Sequence, residues 1–113
     1  MRIKGGVNAK KKHNRVLKLA KGYYGSKSKT FRAANPAVMR ALRSAYVGRK
    51  LKKRQYRQMW IARINAGTRA HGISYSQFMG ALKKNNIELN RKVLADLAMN
   101  HPEAFKAVVD QVK

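Results

Sequence analysis

Apolar side chains recur at regular helical spacing mainly in the last part of the chain. Tyr56, Trp60 and Ile64 follow one another at i, i+4 and i+8 with Ile61 beside them, which is the stripe of a helix that packs against something. Downstream the signals for helix starts and stops are dense. Gly72 reads as a C-terminal stop. Ser74 reads as an N-cap, with Gln77 three residues on as its capping-box partner and Ile73 placed to staple onto Phe78. This predicts a helix with Phe78, Met79 and Leu82 inward, ended by Asn85 and Asn86. A second helix is expected after Asn90, with Val93, Leu94, Leu97 and Ala98 inward. A third is expected from Pro102, with Glu103 in its first turn and Phe105, Val108, Val109 and Val112 inward. These three short helices and the Trp60 end of a longer one make a small bundle.

Upstream the pattern is thin. Residues 1–8 hold Gly5 and Gly6 among cations with few apolar positions, so an extended arm is expected, disordered without its partner. Residues 9–21 carry Val16, Leu17 and Ala20 on an otherwise cationic segment, a short helix stopped at Gly22. Pro36 suits the first position of a helix with Asn35 as its N-cap, so the long helix is expected over about 36–71; a start near Thr30 with a kink at Pro36 is the alternative. Gly48 is a weak point inside it. No segment alternates as a strand does, and no repeat suggests a solenoid. The fold class is therefore all-α: an extended basic N-terminal arm, one long helix and a small C-terminal helical bundle. The expected division is 1–55 for arm and helix shaft and 56–113 for a compact C-terminal domain.

Charge changes this picture more than composition does. The formal net charge is +23 over 113 residues, too large for an ordinary compact globule unless a partner supplies counter-charge. Residues 1–72 hold 21 of the 27 Lys and Arg and no acid, while Glu88, Asp96, Glu103 and Asp110 all lie beyond. A chain segment without acids cannot form the i, i+4 ion pairs that support solvated helices. Between Arg49 and Arg57 six of nine residues are cationic, and on a helix they spread over more than half of the circumference. Such a surface calls for a polyanion.

The candidate contacts to that polyanion are Arg2, Lys4, Lys10, Lys11, Lys12, Arg15, Lys18, Lys21, Lys27, Lys29, Arg32, Arg40, Arg43, Arg49, Lys50, Lys52, Lys53, Arg54, Arg57, Arg63 and Arg69, with Tyr23 and Tyr24. The two tyrosines sit between Gly22 and Gly25 in a cationic loop, where backbone can approach phosphate and rings can stack on exposed bases. The competing reading, equally weighted for either ring, packs one of them on the neighbouring helix. For Trp60, a place in the core outweighs a base-stacking role.

Catalysis is hard to assemble from this chain. His13, His71 and His101 are scattered without Cys or carboxylate partners at ligand spacing, the four acids read as solvated or helix-terminal charges, and the glycines fit no phosphate-loop signature. No catalytic site, metal site or cofactor is expected, nor a small-molecule substrate. The chain has no cysteine, which fits a reducing compartment. It has no apolar run long enough for a membrane span and no signal-like h-region, so the cytoplasm is the default. Among polyanions, a bare arm and a small knob suit a folded RNA. An architectural DNA-binding protein is the alternative, and a basic membrane-active chain is weaker because the apolar residues do not oppose the cations.

Four motifs, KGYYG at 21–25, KRQYRQMWIARINA at 53–66, GISYS at 72–76 and RKVLADLA at 91–98, occur in the order and spacing of one family. In these, and over nearly its whole length, the chain closely resembles the bacterial L-twenty family of large-subunit ribosomal proteins. The resemblance implies an N-terminal extension buried in large-subunit (23S) ribosomal RNA, an all-α C-terminal domain at the particle surface and neighbouring ribosomal proteins as further partners. It also implies a role early in subunit assembly and, in some bacteria, repression of the protein's own messenger by the C-terminal domain. The tyrosines of KGYYG and Lys53, Arg54, Arg57, Arg63 and Arg69 inherit the RNA-contact assignment. Two departures stand out: Gly5 where the family often has a cation, and Asn35-Pro36-Ala37, which bears on the start of the long helix.

Overall fold

The computed structural model describes all 113 residues, Met1–Lys113. Every regular element is helical: α1 (Gly6–Leu19), a 3-10 turn (Gly25–Ser28), α2 (Phe31–Ala70), α3 (Tyr75–Lys84), α4 (Arg91–Asn100) and α5 (Pro102–Val112). The chain divides into two compact units, Met1–Lys50 and Leu51–Lys113, and α2 runs from the first into the second.

The first unit is held by a small core. Ala20, Ala34 and Val38 are buried, with Val16, Leu17 and Tyr23 packed around them. Ala34 and Val38 are one turn apart and so share a face of α2. That pairing explains why α2 begins at Phe31 and not at Pro36, which instead lies inside the helix. A start at Pro36 would release Ala34 from the face that α1 needs. Thr30 accepts the opening bonds, from Ala33 and Ala34 at 3.2 and 2.8 Å. The proline removes only the donor for the carbonyl of Arg32, itself an exposed residue, where water can replace it. His13 of α1 also stacks on Phe31, with ring centroids 3.9 Å apart and planes 16° from parallel.

The N-terminal arm is shorter than its composition suggests. Helix α1 starts at Gly6, so only residues 1–5 lack regular structure. Gly5 makes this possible by taking φ of +63°, a conformation most residues avoid, at the N-cap.

In the second unit Ile64, Phe78, Leu82, Leu94, Ala95, Phe105, Val109 and Val112 form the core, and Trp60 packs on its rim, half-buried. Helix α5 lies against both α3 and α4. The helix ends are made as their residues direct. Gly72 takes φ of +79° and donates to the Arg69 carbonyl, while Ile73 donates to Thr68, a paired C-terminal motif that α3 repeats with Asn86 at φ of +54° and Ile87 bonded to Leu82. Ser74 and Gln77 form both halves of a capping box, and Asn90 Oδ1 accepts from the Val93 amide at 2.9 Å. One inward assignment fails: Val93 is 42% exposed and Ala95 takes its place in the core. Helix α4 is turned so that Leu94 and Ala95 face the core and Val93, about 200° round the helix from Ala95, faces outward.

Gly67 has a similar role on α2. A Cβ there would lie 2.9 Å from Phe105 Cε1 and 3.3 Å from Ala98 Cβ, so the missing side chain is what lets the Phe105 ring reach the core. Overpacking costs about 1–3 kcal/mol, whereas alanine returns at most about 1 kcal/mol of helix propensity. Gly67→Ala should therefore lower the melting temperature of the chain. Gly80→Ala, on a helix with open space around the new methyl, should raise it.

Candidate nucleic-acid interface

All of the candidate Lys and Arg side chains are exposed. Arg2 and Lys4 precede α1; Lys10, Lys11, Lys12, Arg15 and Lys18 project from it; Lys21, Lys27 and Lys29 lie on the connection to α2; Arg32, Arg40, Arg43, Arg49, Lys50, Lys52, Lys53, Arg54, Arg57, Arg63 and Arg69 follow along α2. Two groups stand out among them.

The first is a concavity of the N-terminal unit lined by Asn14, Leu17, Lys18, Lys21, Gly22, Ser28 and Lys29. Local backbone geometry builds it. Gly22 at φ of +86° and Gly25 at +61° turn the chain, Ser28 Oγ donates to the Gly25 carbonyl at 3.0 Å, and the Thr30 amide donates to Ser26 at 2.8 Å. The result brings three lysines, Lys18, Lys21 and Lys29, to the lining of one hollow, a residue set suited to phosphate. The same loop decides between the two tyrosines. Tyr23 is half-buried on the Ala20, Ala34 and Val38 core, whereas Tyr24 is 95% exposed. Tyr23 is thus an anchor, and Tyr24 alone presents an open ring.

The second group is the middle of α2. From 39 to 58 every residue is exposed, including Arg40, Arg43, Arg49, Lys50, Lys52, Lys53, Arg54 and Arg57. No acid occurs in the first 72 residues to pair with them within that stretch. Lys50 Nζ sits 5.5 Å from the Tyr46 ring centroid, near enough for a cation–π contact that leaves most of its hydrogen-bonding capacity free. The apolar stripe read from the sequence passes gradually under cover: Tyr56 is 45% exposed, Trp60 is half-buried and Ile64 is fully buried, as is the polar Thr68 one turn beyond it. Thr68 satisfies its hydroxyl by donating to the Asn65 carbonyl at 3.1 Å. Sequence reasoning placed Tyr56 with the packed residues. Its spacing is that of a core position, and only the point at which the other helices stop covering α2 reveals it as a surface ring.

These features meet in one line of relatives. The model of the ribosomal protein L20 family matches residues 2–108. The large ribosomal subunit protein bL20 of Clostridium botulinum (strain Hall) is 61% identical over 112 residues, which cover 99% of this chain and 94% of that one. Its counterpart in Clostridium tetani is 58% identical over the same shares of the two chains. The chain belongs to the ribosomal protein L20 family, a family of structural components of the large ribosomal subunit and not of enzymes.

Proposed function

We propose that the chain is a structural constituent of the large ribosomal subunit that binds large-subunit ribosomal RNA directly, with its cations neutralising phosphates where RNA segments converge. It works in the cytoplasm, within the ribosome, beside neighbouring large-subunit proteins. The observation that carries this reading is the stretch of α2 exposed on every side with eight cations and no acid. A helix with no side chain covered and its eight cations unpaired within the stretch gains from a counter-charge outside the chain, and a folded RNA supplies negative charge on several sides at once. Tyr24 and the lysine-rimmed hollow beside it add a stacking surface and a phosphate seat. Resemblance to the family supports two further roles, promotion of early subunit assembly and repression of the chain's own messenger by the C-terminal unit.

The test is the salt dependence of binding to a transcript of large-subunit ribosomal RNA. Each phosphate neutralised lowers log K by about 0.7–0.9 per unit of log salt, so six to ten contacts should cost about 10³–10⁵ in affinity between 50 and 200 mM salt. A nearly flat dependence would remove the electrostatic basis of the reading. Crosslinking in cells separates RNA from DNA: recovery of genomic DNA in place of ribosomal RNA would favour an architectural DNA-binding protein.

A further inference from the structure

Lys52, Gln55, Tyr56 and Met59 line a shallow concavity on α2. Their spacing of i, i+3, i+4 and i+7 puts all four on one face, the positions that a helix of a globular protein normally buries. Here Lys52, Gln55 and Tyr56 stand open to solvent and Met59 is only half-covered. The tyrosine ring nevertheless has an aromatic neighbour. Trp60, one turn further on, lies with its centroid 6.1 Å from that of Tyr56 and its plane tilted by 40°, and Trp60 itself rests on the core of the C-terminal unit. Tyr56 thus has one aromatic neighbour and is still 45% exposed, which leaves ring surface for something else to stack on.

The chemistry of this hollow is specific. It offers an aromatic face, a polarisable thioether, an amide that both donates and accepts, and an ammonium group, with Lys53, Arg54 and Arg57 adjacent in sequence. A protein side chain docking here would have to bring acids to match those cations. An unpaired nucleotide brings the negative charge and the flat ring together. We propose that Lys52, Gln55, Tyr56 and Met59 form a site for one unpaired nucleotide of RNA. Its base stacks on Tyr56 against Met59, its polar edge meets the Gln55 amide, and its phosphate meets Lys52. This inference rests on the RNA-binding reading and adds selectivity to it, because phosphate contacts alone do not distinguish an unpaired base from a paired one.

The experiment compares the full chain on two RNA hairpins, identical except for a single bulged 2-aminopurine in one. The wild-type chain should bind the bulged hairpin more tightly and change the fluorescence of the bulged base. Tyr56→Ala should weaken binding to the bulged hairpin by about five- to 150-fold, the usual range for one stacked base, and leave the other hairpin nearly unaffected. Tyr56→Phe should behave as wild type, and thermal melts of both variants should show that the C-terminal unit still folds. Equal binding of the two hairpins by the wild-type chain would overturn the site. So would a preference that survives Tyr56→Ala, or one lost equally in Tyr56→Phe, which would implicate the hydroxyl and not the ring face. A salt slope near zero with the bulge preference intact would instead bring down the electrostatic reading and leave the nucleotide site standing.

Discussion

Phe105→Ala is expected to abolish the cooperative thermal transition of the C-terminal unit. The ring is 1% exposed, lies 5.6 Å from the Phe78 ring centroid, and fills the space that Gly67 and Ala98 leave open. Deleting a buried phenylalanine to alanine costs about 3–5 kcal/mol. A unit of the size of Leu51–Lys113 holds about 3–9 kcal/mol in total at roughly 0.05–0.15 kcal/mol per residue. The loss is thus from about a third to all of the stability. Trp60→Ala removes more atoms but from the rim, so it should lower the melting temperature while keeping the transition cooperative. Calorimetry or near-ultraviolet circular dichroism of the full chain reads both. A cooperative melt for Phe105→Ala with little change in midpoint would mean that α5 is not what closes this core.

Where local chemistry dictates an element, its residues announce it. Ser74 with Gln77, Asn90, Gly72 and Pro102 each place a helix end within a residue or two, because an unsatisfied amide or a left-handed backbone admits few side chains. Where tertiary packing outweighs local preference, the sequence misleads. Pro36 is a good first residue for a helix in isolation, but the Ala34 and Val38 face gains more from burial than the helix loses in one exposed hydrogen bond. Val93 and Ala95 exchange roles for a related reason: hydropathy favours the valine, while the face on which α4 docks turns positions 94 and 95 inward and 93 outward. Gly67 carries no sequence signal at all, since its value lies in a neighbour 38 residues away along the chain.

The candidate interface divides in the same way. Exposure of the cations follows from charge alone, because nothing in the first 72 residues can neutralise a buried one. The aromatic residues do not follow. Tyr23 and Tyr24 are adjacent and chemically identical, and the turn at Gly22 decides which one faces Ala20 and which faces solvent. Tyr56 and Trp60 share one stripe, and its cover ends between them.

In the free chain at low salt, amides from about 39 to 53 are expected to exchange rapidly with solvent, and to become protected when the chain binds RNA. The segment is helical, yet every side chain along it is exposed, so no tertiary contact adds to its stability. Helicity then depends on propensity and on side-chain pairs within the segment. Arg49 with Lys52 and Lys53, and Lys50 with Lys53 and Arg54, are like charges at i, i+3 and i, i+4, each opposing the helix by a few tenths of a kcal/mol. Gly48 adds about 1 kcal/mol relative to alanine, and the new methyl would meet open space. A helix with these penalties opens locally at a cost near zero, far below that of the C-terminal core. RNA phosphates reverse the sign of the charge terms, so binding should slow exchange across the whole segment. Raising salt without RNA should recover part of the protection by screening the repulsion. Gly48→Ala should recover part of it without any ligand. Strong protection of these amides in the isolated chain at low salt would show that the helix stands without its counter-charge, and that binding meets a preformed surface.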